Sequence, residues 1–298
     1  MKRVIITGDD FGIALPVNEA ITEAHRRGIL TAASLMVGAA AARDAVERAR
    51  QLPSLRVGLH LVLVEGRPVL PPENVPGLVD SRGEFLTNLV RAGFTFYFRP
   101  GVRGQLEAEI RAQFEAFRRT GLPLDHVNAH NHMHLHPTVL GLILKVGREH
   151  GVRAMRLPME PPVLAWRASG RALAPKLASA AFLLPWLKLM TVRLRRAGIM
   201  TNDRIFGMAD SGRMTPGLLL EIVKRLPGGV TEIYFHPATR RCPEIMRTMP
   251  DYRHEDEFRA LVDPAIRDAF VLAGAERIAF ADLSAGVGGD IEGRRPVN

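Results

Sequence analysis

Residues 4–28, VIITGDDFGIALPVNEAITEAHRRG, contain the pattern that decides the fold. Residues 4–7 predict a short buried strand, and residues 17–27 predict a helix whose apolar residues recur at helical spacing. Gly28 ends that helix. A strand followed by a helix is one βα unit, and repeated βα units build a parallel sheet that is covered by helices.

The same alternation continues along the chain. Further strands are predicted at 33–37, 56–61, 152–156, 230–235 and 277–281, and further helices at 41–52, 105–119, 218–226 and 258–273. No Gly-x-Gly-x-x-Gly motif follows the first strand, which disfavours a dinucleotide-binding sheet. We therefore predict a single-domain α/β fold, a TIM-like barrel, over residues 1–285, with a flexible tail at 286–298.

The composition points to a protein of the cytoplasm. Cys242 is the single cysteine, so no disulfide can form within the chain, which fits a reducing compartment. The first residues, MKRVIITGDDFG, hold too short an apolar run for a signal peptide. We therefore expect no export.

Much of the formal net charge of +9 comes from one segment, residues 161–202. Residues 161–202 contain no acidic residue but seven basic ones: Arg167, Arg171, Lys176, Lys188, Arg193, Arg195 and Arg196. The uncharged run 177–187 is shorter than the ~20 residues that cross a bilayer, and Pro185 interrupts it. We therefore predict no transmembrane helix, and we expect no nucleic-acid partner because no nucleic-acid-binding motif accompanies the charge.

Barrel enzymes carry their reacting groups at the C-terminal ends of the strands, so polar residues that follow apolar strands are the candidates. Four places qualify: the pair Asp9 and Asp10, His60, the run HVNAHNHMHLH at 126–136, and His236. Taken singly, each also fits a solvated turn or a buried histidine with no function.

The histidine run is the strongest of these signals. Five of the ten histidines lie at even positions between 126 and 136, which places several imidazoles on one face if the strand continues. One carboxylate and two imidazoles from three strand ends would leave coordination positions open, as in a catalytic metal site. A second carboxylate could then take a proton from water, and a histidine could protonate a leaving group.

Five segments together resemble the YdjC-like carbohydrate deacetylase family, which includes chitooligosaccharide deacetylases and is related to the NodB-type polysaccharide deacetylases. They are GDDFG at 8–12, VGLHL at 57–61, HVNAHNHMHLHP at 126–137, VRAMRLP at 152–158 and EIYFHP at 232–237. The resemblance spans almost the whole chain. It implies a deformed TIM-like barrel of the glycoside hydrolase and deacetylase type, and removal of an acetyl group from an N-acetylated amino sugar.

The resemblance also implies the roles of individual residues. It implies one divalent metal ion, magnesium or zinc, held by Asp10, His60 and His130, with Asp9 as general base and His236 as general acid. Arg156, His132 and His134 are expected on the substrate side of the metal. Relatives often have Asp-Ser-His where this chain has Asn128-Ala129-His130, which removes an acid from the surroundings of the ligands.

The resemblance also implies an insertion at 161–198, which is similar to the basic, Trp-containing insertion of the hopanoid-biosynthesis-associated branch of the family. That branch implies an N-acetylglucosaminyl bacteriohopanepolyol lipid as the substrate, with chitooligosaccharides as the alternative. Basic residues interleaved with apolar and aromatic ones suit an anionic membrane interface, and the residues expected to contact lipid at the inner face of the membrane are Trp166, Trp186, Lys188, Arg193 and Arg195. A helical hairpin that packs on the barrel is the alternative reading of the insertion.

Three further alternatives stay open from the sequence. The same metal site could hydrolyse a phosphoester, because a metal-activated water is not selective by itself. The chain could also be a lipid-binding or membrane-surface-binding protein without catalysis. A homodimer is compatible with the sequence.

Overall fold

The computed structural model describes residues 1–286. Its seven strands are β1 (Lys2–Phe11), β2 (Ala32–Leu35), β3 (Arg56–Leu61), β4 (Leu124–Ala129), β5 (Arg204–Phe206), β6 (Gly229–Phe235) and β7 (Ala275–Ile278). Its helices are α1 (Leu15–Arg27), α2 (Ala42–Arg50), α3 (Leu89–Phe98), α4 (Pro100–Arg119), α5 (Pro137–Glu149), α6 (Pro162–Ser169), α7 (Leu173–Arg196), α8 (Pro216–Lys224), α9 (Pro243–Met246), α10 (His254–Val262) and α11 (Pro264–Leu272). The predicted flexible tail lies outside the described residues from 287 onward.

The strands form one curled parallel sheet in the order β4-β3-β2-β1-β6-β5, and β7 pairs with the first residues of β1. Two isolated parallel bridges, Val127 with Met155 and Ala154 with Met200, link β4 to the chain that leads into β5. The two edges of the sheet therefore meet across residues 154–155. This arrangement confirms the predicted TIM-like barrel in a deformed form.

Side-chain alternation along β1 separates the inside of the barrel from the layer under the helices. Val4 and Ile6 pack in the large core beneath the helices, whereas Ile5 belongs to a second apolar cluster and the Thr7 hydroxyl donates to Glu232 of the neighbouring strand β6. The second cluster also contains Ala32, Ala154, Val230, Ile278, Phe280 and Leu283. It fills the N-terminal end of the barrel, so the polar interior lies toward the C-terminal ends of the strands.

Gly58 on β3 leaves room for a histidine that crosses the barrel. A Cβ atom at this position would lie 2.5 Å from the ring of His126. That ring stacks on Phe280 with 4.6 Å between centroids, and its Nε2 lies 3.1 Å from Ser34 Oγ. Only glycine permits this approach, so His126 is an interior packing residue below the candidate site.

Three predicted elements differ from the structure. The strand predicted at 152–156 consists only of the bridges at Ala154 and Met155. The single helix predicted at 258–273 is two helices, because Pro264 cannot continue α10 and begins α11 with Asp263 as its cap. The sequence pattern did not predict α3, whose start is marked by the Asn88 side chain that accepts from the Arg91 N–H.

The predicted interruption of the insertion at Pro185 is wrong, since α7 runs through this residue for 24 residues. Pro185 and Ala181 are both exposed, so water can satisfy the carbonyl that proline leaves without a donor. By length and composition alone α7 could cross a membrane, and only 17% of its most apolar 18-residue window is buried. Most of α7 is therefore exposed, and it is not a helix buried in a hairpin.

Candidate metal centre

The three predicted ligands meet at the C-terminal ends of their strands. Asp10 Oδ1 lies 3.3 Å from His60 Nε2 and 3.1 Å from His130 Nδ1. One ligand atom from each residue lies within 4.8 Å of the other two, and all three side chains are buried. The structure therefore brings together residues that are 50 to 120 positions apart in sequence.

The donor atoms fit a bound cation. Asp10 Oδ2 and His60 Nε2 are buried and have no hydrogen-bond partner among the described residues. Such atoms cost free energy unless an ion or another partner satisfies them. One carboxylate and two imidazoles suit zinc and similar divalent ions, so the site can hold the predicted metal.

A local irregularity of β1 turns both adjacent aspartates inward. Neighbouring side chains of a strand normally point to opposite faces, and Asp9 follows the inward alternation of Ile5 and Thr7. Asp10 has a left-handed φ of 61°, and the pairing with β2 shifts register between Gly8 and Phe11. A bulge of this kind re-aims a side chain, so Asp10 joins Asp9 at the site.

Asn128 sets the orientation of His60. Its Oδ1 lies 2.7 Å from His60 Nδ1, so the imidazole N–H donates there and Nε2 keeps its lone pair for a metal. The Asn128 amide nitrogen donates to Ser34 Oγ at 2.9 Å and to Asp9 Oδ1 at 3.3 Å. The amide therefore links a metal ligand to the predicted base, a role that the sequence comparison with Asp-Ser-His did not reveal.

His130 lies between two carboxylates. Its Nε2 is 3.4 Å from Glu65 Oε2, and the Asn131 amide donates to the same oxygen at 2.9 Å. Burial lowers the pKa of His130, but the carboxylates of Asp10 and Glu65 outweigh burial and raise this pKa to about 10. A metal ion must therefore displace a proton from His130. Glu65 was missed by sequence reasoning because it lies in the loop after β3 without a motif of its own.

A buried arginine holds the predicted base. Arg156 donates to both oxygens of Asp9, at 2.6 and 3.0 Å, and through Nε and Nη2 to Glu232 Oε1, at 3.0 and 2.8 Å. Burial alone would raise the pKa of Asp9, but the guanidinium outweighs it and holds this pKa well below its usual range. Asp9 is therefore ionised and fixed. Glu232, which the sequence analysis did not assign, anchors the other side of the arginine.

A cavity of about 180 Å³ borders the predicted ligand His60 and the predicted base Asp9, and for this reason we call it the catalytic cavity. Its lining includes Asp9, His60, His132, Tyr234 and Tyr252. A second cavity of about 410 Å³ is lined in part by His130 and Glu65. The candidate ligands His60 and His130 therefore border different cavities.

The residues predicted on the substrate side are not equivalent. His132 lines the catalytic cavity, and its Nε2 lies 3.0 Å from the Tyr234 hydroxyl. Burial, assisted by Arg156, lowers the pKa of His132 to about 3, so its ring is neutral. His134 and Arg156 are fully buried and do not line this cavity, and burial holds the pKa of His134 well below its usual range.

His236 follows β6 and is held through its backbone. Its N–H donates to Glu257, and its carbonyl accepts from His254 Nδ1 at 2.6 Å. The ring lies between Tyr234 and Tyr252, with centroid distances of 5.6 and 5.2 Å. Burial lowers the pKa of His236 to about 4, although Asp10 and Asp9 act in the opposite direction. The ring is therefore neutral at pH 7.

Residues 3–271 match the family described as YdjC-like protein. The chain belongs to this family. Over 283 residues it is 29% identical to a carbohydrate deacetylase of Geobacillus stearothermophilus, which covers 95% of this chain and 98% of that relative. It is 40% identical over 162 residues to a carbohydrate deacetylase of Brevibacillus brevis, an alignment that spans 54% of this chain and only 60% of that relative.

A solved structure supports the fold of this YdjC-like protein. It is that of a putative cellobiose-phosphate cleavage protein from Enterococcus faecalis, with a TM-score of 0.72 and 24% identity over 95% of this chain and 98% of that one. The predicted family and the deformed barrel are confirmed. The hopanoid branch and the roles of the site residues stay predictions.

Proposed function

We propose that this YdjC-like protein is a metal-dependent carbohydrate deacetylase that hydrolyses the acetamide of an N-acetylated amino sugar. The observation that carries the proposal is the buried set of Asp10, His60 and His130, in which Asp10 Oδ2 and His60 Nε2 have no hydrogen-bond partner among the described residues. Asn128 links His60 to the ionised carboxylate of Asp9. The names of the relatives, carbohydrate deacetylases, support the reaction class.

The metal would be held by the three ligands named above. When bound, a divalent ion polarises a carbonyl oxygen and makes a nearby water more acidic. Asp9 accepts the proton of the attacking water. Because Arg156 lowers the pKa of Asp9, its strength as a base is small, and its contribution is a fixed position in the ionised form.

His236 acts on the leaving nitrogen in this proposal. At neutral pH the ring is a neutral imidazole and lacks the acidic proton of an imidazolium, because burial lowers the pKa of His236 to about 4. It must first receive the proton that Asp9 took from water, and the two aspartates favour that protonated form. His236 then donates to nitrogen as the C–N bond breaks, so acetate and a free amine leave and the water proton is accounted for.

For the substrate we propose an N-acetylglucosaminyl group on a hopanoid lipid, with the protein in the cytoplasm at the inner face of the membrane. The exposed apolar residues of α7 support this, since Phe182 is 84% exposed and the same helix carries the exposed cations Lys188 and Arg195. Trp166, Trp186 and Arg193 are half-buried. Chitooligosaccharides remain the second candidate, and a homodimer stays a prediction.

Acetate release by the metal-reconstituted protein tests the proposal. The substrates are diacetylchitobiose and an N-acetylglucosaminyl lipid in detergent, each with zinc and with magnesium. The His130→Ala and Asp9→Asn variants should lose activity by at least about 100-fold, whereas the control His150→Ala, at the end of α5, should retain it. Full activity in a folded His130→Ala protein would overturn the proposal, as would phosphoester cleavage in place of acetate release.

A further inference from the structure

A large apolar cleft lies between the insertion and the rim of the barrel. Its volume is about 880 Å³, several times that of the catalytic cavity. The side chains that line it include Met159, Leu183, Leu184, Leu187 and Met208. We call it the insertion cleft. Its walls come from both the barrel loops and α7, so it exists only because the insertion is present.

The insertion cleft and the catalytic cavity share one wall. Met208 lines both of them. The loop that carries Met208 is fixed from below, since the Glu160 carboxylate accepts the N–H groups of Gly207, Met208 and Ala209 at 3.0, 3.1 and 2.9 Å. Farther along this loop, Ser211 lines the catalytic cavity and donates to the Tyr252 hydroxyl at 3.0 Å.

The insertion is tied to the same loop. Lys176 of α7 is buried, and its Nζ lies 2.5 Å from Asp210 Oδ2 and 3.2 Å from Ser169 Oγ. A buried charge pair with this geometry is costly to break from one side. The ion pair therefore holds α7 at a fixed position above the loop. The shape of the insertion cleft is thus set by specific contacts between α7 and the barrel.

The charged side chains around the insertion cleft each already make an ion pair or a hydrogen bond within the protein. Lys176 is paired with Asp210, Glu160 holds three backbone N–H groups, and Asp203 accepts from the Val230 N–H at 2.8 Å. The Arg204 guanidinium donates to the Gly228 carbonyl at 2.7 Å. A sugar ring needs free hydrogen-bond partners for its hydroxyls, whereas an apolar chain needs only apolar contact area. The cleft therefore suits the apolar ligand.

We propose that the insertion cleft binds the apolar aglycone of the substrate while the N-acetylated sugar lies in the catalytic cavity across Met208. This inference rests on the proposed deacetylase function and deepens it. The substrate class is an amphiphilic glycoside of an N-acetylated amino sugar. Burial of the aglycone places its sugar at the one residue that both cavities share.

A homologous series of alkyl N-acetylglucosaminides, used below their micelle concentrations, tests the inference with acetate release as the readout. Each methylene that is fully buried should lower KM by up to about fourfold, while diacetylchitobiose gains nothing from the cleft. Ala180 is half-buried and lines the cleft, so the indole of Ala180→Trp should obstruct part of it. We expect that variant to raise KM for the octyl glycoside by at least about tenfold and to leave diacetylchitobiose unchanged.

Two further variants keep the test decisive. Ala178→Trp, at an exposed position of α7 that does not line the cleft, should match the wild type on every substrate. If Ala180→Trp does not fold, Leu184→Ser replaces it, because Leu184 is partly exposed and lines the cleft; this variant should flatten the dependence of KM on chain length.

The outcomes separate the inference from the function on which it rests. A KM that does not change with chain length, or an Ala180→Trp effect that is equal for both substrate types, overturns the inference and leaves the deacetylase intact. The preference for alkyl substrates could instead require anionic phospholipid vesicles and be unchanged in Ala180→Trp. That result would assign the apolar contact to a membrane and would also overturn the inference. Absence of acetate from every substrate overturns the proposed function itself.

Discussion

Replacement of Arg156 by methionine should convert a stabilising charge cluster into a destabilising one. Arg156 is fully buried and is the only cation in hydrogen-bond contact with Asp9 and Glu232 among the described residues. Methionine has a similar length but no charge, so the variant leaves two buried carboxylates without their partner. Removal of one partner from a buried pair costs about 3–5 kcal/mol, a large part of the roughly 5–15 kcal/mol that stabilises a typical domain.

The contribution of Asp9 to the free energy of unfolding should depend on pH with opposite signs in the variant and in the wild type. In the wild type the pKa of folded Asp9 lies below its unfolded value, so the stabilisation is present above about pH 4 and is lost as the pH falls through the folded pKa. In the variant, burial without Arg156 raises the folded pKa above the unfolded one. Protonation then relieves the penalty, and the deficit should shrink as the pH falls from about 7.5 to about 5, by about 1.4 kcal/mol for each unit of raised pKa.

Urea unfolding at the two pH values, followed by circular dichroism, measures both effects. Arg153→Met is the matched control, since Arg153 lies three residues earlier with an exposed side chain, and its stability should change by less than about 0.5 kcal/mol. The triple variant Asp9→Asn, Arg156→Met, Glu232→Gln should recover part of the loss because no charge remains. A deficit under about 1 kcal/mol near pH 7.5, or one that does not vary with pH, would refute the reasoning.

Three further predictions concern the metal centre and the packing beneath it. Asn128→Ala should weaken zinc binding about 10–100-fold because His60 loses its orienting partner. Asn128→Asp keeps the acceptor and should bind zinc within a few-fold of the wild type. Isothermal titration calorimetry measures the affinity of both variants. Zinc binding at about pH 8 should release about one proton, since the pKa of His130 is about 10 without the ion. Calorimetry in buffers of different ionisation enthalpy counts the released protons. Binding without proton release would contradict a protonated His130. Gly58→Ala should cost about 1–3 kcal/mol because its Cβ meets the His126 ring, and an unchanged thermal midpoint would show that the ring can move.

Topology predicts that one carboxylate and two imidazoles meet, because a parallel barrel delivers the C-terminal ends of all its strands to one rim. The choice of Asp10, His60 and His130 within the aspartate pair and the histidine run comes from the resemblance to the family, and the structure brings these three side chains together. The partners that tune these ligands carry no such signal. Glu65 lies in a loop, and Asn128 and Glu232 are interior strand residues whose neighbours are set by strand register, which a single sequence does not specify.

The insertion shows a different limit of sequence reasoning. Proline predicts a break because it removes one hydrogen bond and crowds the preceding turn, and this cost decides the outcome for a short isolated segment. In α7 the helix continues on both sides of Pro185, and Leu187, Met190 and Leu194 are buried against the barrel. The packing of these residues against the barrel therefore outweighs the local cost of proline. The sequence pattern shows that cost but does not show the packing.

The paired aspartates illustrate why a motif identifies residues before their geometry is known. A regular strand would send Asp9 and Asp10 to opposite faces, one into the barrel and one under the helices, and a buried unpaired carboxylate beneath α1 would be strongly unfavourable. The left-handed turn at Asp10 costs about 1 kcal/mol for a residue with a Cβ atom. That small strain avoids the larger cost of a buried unpaired carboxylate and places the predicted metal ligand next to the predicted base. The motif GDDFG identifies the residues, and the bulge in β1 gives them the geometry of the site.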